Sequence, residues 1–387
     1  MPTAPTSILA APRRTPLTLG ALSALLFGSL ACAGPHQLQT HTDGPPIQGG
    51  IEVSELIQPG EHHFARLWKI SSGGENAEGY WSFNGDRISL QRRNEAEGVD
   101  CDRIYVTDKL TGELSQVSNG RGVTTCAYFM PGDREVIFAS THADMEGCPP
   151  PPDRSRGYVW TLHPEYEIFV KDLERGVLTR FTDSPGYDAE ATVSPKGDRV
   201  VFTSVRSGDV ELWTSKLDGT DLFQVTDTLG YDGGAFFSHG GDQLIFRATE
   251  FAPEGSSDAD QAQAKADYKA LLAESLVRPS SMELFTINTD GTNRRQITRL
   301  GGANWAPYFT PDDSSVIFCT NHHTESAREF DIFMLDLATE GLEQITTYEG
   351  FDSFPMFSDD GRWLLFSSNR GGAVEGETSL YLAEWKD

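Results

Sequence analysis

Charged and polar residues recur at related places along this 387-residue sequence, and their types suit them to holding a ligand. Glu78, Asp188, Glu190, Asp232 and Asp352 stand shortly before a run of Gly-containing turns, and Asn304 takes the same place in one further copy. Arg93, Arg206, Arg247 and Arg370, with His142, His322 and His323, follow the apolar run after each turn. Carboxylates, an amide and guanidinium groups gathered on one face could grip a peptide terminus, a sugar or a cation. An aspartate at a repeat-constant position has a plainer use: it caps its own link and pairs with an arginine of a neighbouring unit. Glu190 and Asn304 break the repeated pattern and are the sharper candidates for ligand contact.

Catalytic chemistry finds less support. The sequence has no Gly-x-Ser-x-Gly nucleophile elbow, so no catalytic residue is assigned. A divalent cation serving a carbohydrate lyase or hydrolase would need the histidines, but His142 belongs to the second repeat and His322 and His323 to the fifth. No Cys-x-x-Cys spacing offers a thiolate site, and no metal ligand or cofactor is assigned. Cys101, Cys126 and Cys148 fall in adjacent repeats on one face, where one disulfide is expected among the three and the pairing stays open. Cys319 follows an apolar run and reads as a core residue.

The elements that must position these residues come from three marks, each present six times. The first is a turn that leads into an apolar strand, such as Ser194-Pro195-Lys196-Gly197-Asp198 before RVVFTS. The second is an aliphatic-aromatic pair: Ile104-Tyr105, Ile168-Phe169, Leu212-Trp213, Leu284-Phe285, Ile332-Phe333 and Leu380-Tyr381. The third is an apolar residue followed by Ser or Thr, ending at Ser71, Ser118, Thr182, Thr226, Thr298 and Thr346. The third mark is out of phase: its first copy precedes the first turn and none follows the last. A closed ring resolves this, with the strand around Leu67 to Ser71 completing the final sheet and removing its exposed edge. The expectation is an all-β, six-bladed β-propeller over 61–387, closed by an N-terminal strand. Turn-to-turn intervals of 47, 65, 44, 72 and 48 residues place insertions in blades two and four, over about 141–166 and 249–281. Within the second insertion, spacing predicts an amphipathic helix over 266–277, with Tyr268, Leu271, Leu272 and Leu276 on one side, serving as a lid or as padding for the rim.

These blades resemble the PD40 (WD40-like) repeats of TolB-type propellers, most closely at Tyr187 to Asp198, Tyr231 to Asp242, Trp305 to Asp313 and Phe351 to Gly361. The resemblance implies a propeller without the α/β domain that precedes it in TolB. It also implies a binding or scaffold role toward an envelope protein, a peptide or a cell-wall ligand. An accessory module of a separate peptidase or transporter is the related alternative.

Residues 1–31 have the layout of a signal peptide: Arg13 and Arg14, then an apolar run ending Ser29-Leu30-Ala31-Cys32. That ending resembles a lipobox, which makes Cys32 the lipidation candidate, and 32–60 read as a tether. The expected location is the periplasm or outer membrane, with membrane contact only through the lipid. A formal net charge of −26 argues against nucleic acid as a partner.

Overall fold

The computed structural model describes residues 46–386 apart from 151, 152 and 254. The signal-peptide reading, Cys32 and most of the tether lie outside the described residues. Six antiparallel sheets follow one another along the chain, the first five with their strands in sequence order from the centre outward. Blade three is representative: inner strand Asp188–Val193, second strand Arg199–Ser204, third strand Glu211–Lys216 and outer strand Phe223–Gln224. Its second strand is buried along nearly its whole length rather than on alternate residues. Each sheet of a propeller packs between two neighbours, so both faces of a middle strand leave water, and the apolar run is continuous.

The sixth sheet closes the ring as the repeat phase requires. The strand Phe64–Lys69 pairs antiparallel with Ser379–Trp385, the third strand of blade six. One short strand more, Ile51–Glu52, pairs outside it. Residues 46–60 are therefore not wholly tether: Ile47 is buried, and Ser54–Leu56 forms a 3-10 turn against the closing strand.

The second and third sequence marks turn out to be partners. In every blade the hydroxyl of the third mark accepts a hydrogen bond from the backbone N–H of the aliphatic residue of the second. Ser118 receives Ile104 N, Thr182 receives Ile168 N and Thr226 receives Leu212 N. Thr298 receives Leu284 N, Thr346 receives Ile332 N, and Ser71 receives Leu380 N across the closure. The six bonds span 2.7 to 3.1 Å. They satisfy a third-strand donor where the short outer strand has already ended.

The repeated turns hold neighbouring blades together on one face. Asp133 accepts from Phe83 N at 2.7 Å and Asn84 N at 2.9 Å, and Asp313 does the same for His239 N and Gly240 N at 2.8 and 2.9 Å. On the other face, a buried ion cluster secures the seam. Arg370 donates to Asp352 at 2.6 Å and to both oxygens of Glu61 at 2.8 and 3.0 Å, and all three residues are essentially excluded from water. Replacing Arg370 by leucine leaves two buried carboxylates without a counter-charge. The expected loss is about 3–5 kcal/mol of stability, measured by denaturant unfolding. A variant as stable as the parent would show that the cluster does not hold the seam.

Candidate functional site at the channel mouth

The inner strands share a feature that the repeat marks do not announce. Two residues after the start of each, or three in blade one, the backbone enters the left-handed region: Glu78, Cys126, Glu190, Gly234, Ala306 and Phe354, with φ between 48° and 60°. The pairing register with the second strand slips at that point in all six blades. A β-bulge of this kind re-aims a side chain that the pleat would otherwise send between the blades. For five residues with a Cβ it costs on the order of 1–2 kcal/mol each. All six residues line one cavity of about 1100 Å³, which residues of the blade-two insertion also line.

The cavity has a floor, a polar side and an aromatic side. Tyr80 of blade one meets Phe236 of blade four at 5.5 Å, and Tyr128 and Tyr308 pack on Phe236 at 6.2 and 5.4 Å. Blades one and four stand opposite each other, so these rings plug the channel. Glu190 sits on the polar side. It accepts from Tyr231 Oη at 2.6 Å, Thr203 Oγ1 at 2.7 Å, Gly234 N at 3.0 Å and the Arg247 guanidinium. The two glycines of Tyr231-Asp232-Gly233-Gly234 allow this arrangement. A Cβ on Gly234 would overlap the guanidinium of Arg247, and one on Gly233 would meet Tyr231 and Glu190. Arg247 thus occupies the place of a bulge side chain, lying over the rings of Trp160 and Tyr231 at 5.2 and 5.4 Å.

A roof comes from both insertions. Trp160–Thr161 of the blade-two insertion pairs with Leu276–Val277 of the blade-four insertion, and Arg156 pairs with Glu274 at 2.6 Å. Trp160 packs on Trp305 at 5.3 Å, and Trp305 stacks on Phe330 at 4.6 Å. Cys101 and Cys148 are joined as a disulfide that staples blade one to the blade-two insertion, leaving Cys126 as a free thiol in the cavity wall. The helix spans Asp258–Leu272, begun by a capping box between Ser257 and Asp260, and Leu276 lies beyond it in the roof strand. It packs Tyr268 against Phe251 and bonds that hydroxyl to Asp209, so it pads blade three and does not line the cavity.

The structure divides the residues singled out from sequence. Glu78, Glu190 and Arg247 line the cavity, and so does Arg93, which is ion-paired to Glu75. Asp188, Asp232, Asn304 and Asp352 are buried at the starts of the inner strands, outside the lining. Their arginines come from their own blades rather than from neighbours: Arg206 to Asp188 at 2.8 Å, Arg370 to Asp352, and Arg294 to Asp232 at 3.1 Å. The reason is a constant offset. Four residues after the Phe of the second strand, the side chain folds back over the blade toward the inner-strand start, as Arg206 does over Phe202 and Arg370 over Phe366. Blade four has Glu250 at this offset, and Arg294 reaches in from the turn before the outer strand instead. His142 and His322 occupy the same offset in blades two and five. His142 contacts Phe169 and Ser140, and His322 contacts Phe333 and Thr320. Asn304 donates to Met282 O at 2.9 Å and to Glu283 at 3.2 Å. His323 lies 3.0 Å from Asp331, and Cys319 is buried in the core. Among the described residues no group of three or more His, Cys, Asp or Glu side chains is arranged to hold a metal ion. Sequence reading passed over Trp160, Trp305, Ala306 and Phe354. For Ala306 and Phe354 the signal available was positional, two residues past the inner-strand start.

Residues 274–375 match the family model described as the TolB beta propeller domain, PD40. The solved structure of TolB from Acinetobacter baumannii superposes with a TM-score of 0.52 at 16% identity, over 79% of this chain and 66% of that one. A structure assigned as TolB from Agrobacterium tumefaciens gives 0.52 at 14% identity, over 81% and 91%. The chain has the fold of the TolB β-propellers, and residues 274–375 match their repeat model. An uncharacterized protein of Agrobacterium fabrum is 30% identical over 70 residues, a stretch that spans 18% of this chain and 24% of that relative.

In this propeller, burial sets the ionisation of the cavity wall. It pushes the Glu78 carboxyl up to about 7, with Glu190 and Asp102 adding to the rise and the Cys126 side chain and Arg247 opposing it. It likewise raises Asp102 and holds the Cys126 thiol well above its usual range. An acid whose folded pKa lies above its unfolded one binds more protons when folded, so stability is lost as pH rises from about 4.5 to about 7. Glu78→Gln removes that loss. Its melting temperature is expected to gain on the parent's between about pH 5 and pH 8. A difference that stays flat with pH would show that Glu78 ionises normally.

Proposed function

We propose that this protein is a non-enzymatic binding propeller of the bacterial envelope, which takes a segment of a protein or peptide, or a cell-wall fragment, into its roofed cavity. The observation that carries this reading is the bulge in all six inner strands. The chain accepts backbone strain in every blade to turn side chains into a cavity that is plugged below and roofed above. The groups there are arranged for holding rather than for turnover. Glu190 is saturated by four donors, and Cys126 is a protonated thiol whose Sγ lies 3.2 Å from the Thr125 hydroxyl. The TolB-like fold fits interaction with another protein in general terms.

Export to an oxidising compartment is supported by the Cys101–Cys148 disulfide together with the leader-like N-terminus. Lipidation at Cys32 is part of the proposal. Radiolabelled palmitate is expected to enter the protein in bacterial cells, and Cys32→Ser is expected to abolish that label. Equal labelling of the variant would rule the site out.

The binding reading is tested by capture from envelope extract on the immobilised mature protein. Trp160→Ala, which removes the roof ring, is expected to lower recovery of the captured partner about ten-fold. Asp359→Asn, on the opposite face, is expected to leave recovery unchanged. A partner lost with the second variant and retained with the first would place binding elsewhere.

A further inference from the structure

The cavity wall is chemically lopsided, and this narrows what it can hold. Around the bulge ring, blades one to four contribute Glu78, Cys126, Glu190 and the Arg247 guanidinium, while blades five and six contribute Ala306 and Phe354. The charges of Glu190 and Arg247 cancel in one ion pair. Glu78 is left over: its carboxylate accepts from Cys126 N at 3.1 Å and from the Cys126 thiol, and among the described residues no arginine or lysine forms an ion pair with it. Asp102, from the extended hairpin of blade one, lines the same side; of the two arginines that attract it, Arg93 is already shared with Glu75 and Arg103 donates to the carbonyls of Gly120 and Gly122. The wall therefore carries more carboxylate than counter-charge. Facing it stand Trp160, Trp305, Phe351 and Phe354, whose ring faces attract cations and whose area suits an apolar body.

Building on the binding reading above, we infer that the cavity takes an organic cation with an apolar body, its ammonium or guanidinium group against Glu78 and Asp102 and its body against the aromatic wall. An anionic ligand would face the same uncompensated carboxylates at short range and in low dielectric, where like charges repel strongly. A neutral ligand would leave Glu78 to take up a proton instead. A cation lowers the cost of ionising Glu78, so cation binding and proton release are linked. The groups facing Glu78 are Glu190, Asp102, Arg247, Cys126 and Tyr80; burial raises Asp102, Cys126 and Tyr80, and the Glu78 carboxyl ionises near neutrality.

An amine of this kind could be a small free molecule or the amino terminus of a peptide, and the probes separate the two. Phenylalaninamide, Phe-Ala-Ala-amide, their N-acetylated forms and N-acetyl-phenylalanine are titrated against the mature protein, with indole fluorescence as the readout and Trp160→Phe as the local control. Both free amines are expected to bind about ten-fold more tightly than their acetylated forms at about pH 8, and less tightly at about pH 6. Glu78→Gln is expected to erase both the preference and the pH dependence while retaining the parent's far-ultraviolet circular dichroism. Tighter binding of the peptide than of phenylalaninamide assigns the cation to a peptide terminus, and the reverse order assigns it to a small amine. Equal binding of acetylated probes, preference for the anion, or no response to any probe overturns the cation assignment. The capture experiment with Trp160→Ala then decides separately whether the cavity binds at all.

Discussion

A ring of sheets has no free edge only when its last sheet takes a strand from the far end of the chain. Here Phe64–Lys69 lies against Ser379–Trp385, and everything else in the molecule depends on that pairing. It brings Ser71 to Leu380 N and places Glu61 beside Arg370, more than three hundred residues away in sequence. The closure is made by the same hydroxyl bond that finishes every other blade, with a buried ion cluster added where chain connectivity is missing. Isolated ion pairs at a protein surface contribute little. This one is dehydrated, multiply bonded and situated at the joint, so its loss exposes no water to the charges left behind.

Once the ring is closed, the inner strands face one another across a channel, and a regular pleat would direct side chains alternately into the channel and between blades. The six bulges change that at one level. They cost backbone strain, but the strain is spread over six equivalent places and each blade is buried on both faces, which holds the conformation in place. Below the bulges the channel is filled by aromatic rings from opposite blades. Above them it is covered by two insertions that pair with each other and are stapled through Cys148. The candidate site lies between these layers because there side chains from different blades meet without being consumed by packing.

Much of the architecture was legible in the residues. Three marks repeated six times, one of them out of phase, demand a closed ring, since the alternative leaves a sheet unfinished. The intervals of 65 and 72 residues located the extra segments. Glu190 was marked out by breaking the repeat, and it lines the cavity. The repeat-constant aspartates read as structural or as ligand contacts, and the structure shows them buried in ion pairs. That those pairs lie within a blade was not legible, because the fold-back of Arg206 and Arg370 over a phenylalanine depends on where the second strand ends.

The sequence by itself determined the number of blades, the mode of closure and the turn chemistry, because these follow from local patterns that recur and from the cost of an unpaired edge. Only the tertiary structure decided which side chains meet. The two glycines of Tyr231-Asp232-Gly233-Gly234 look like a loose turn in the sequence, yet they make room for an arginine from the adjacent strand. Cys101 pairs with Cys148 because the insertion folds back over blade one. Trp160 and Phe354 face the same space from blades two and six. Contacts of this kind join residues through ring closure and bulge geometry, and neither leaves a periodic trace in the chain.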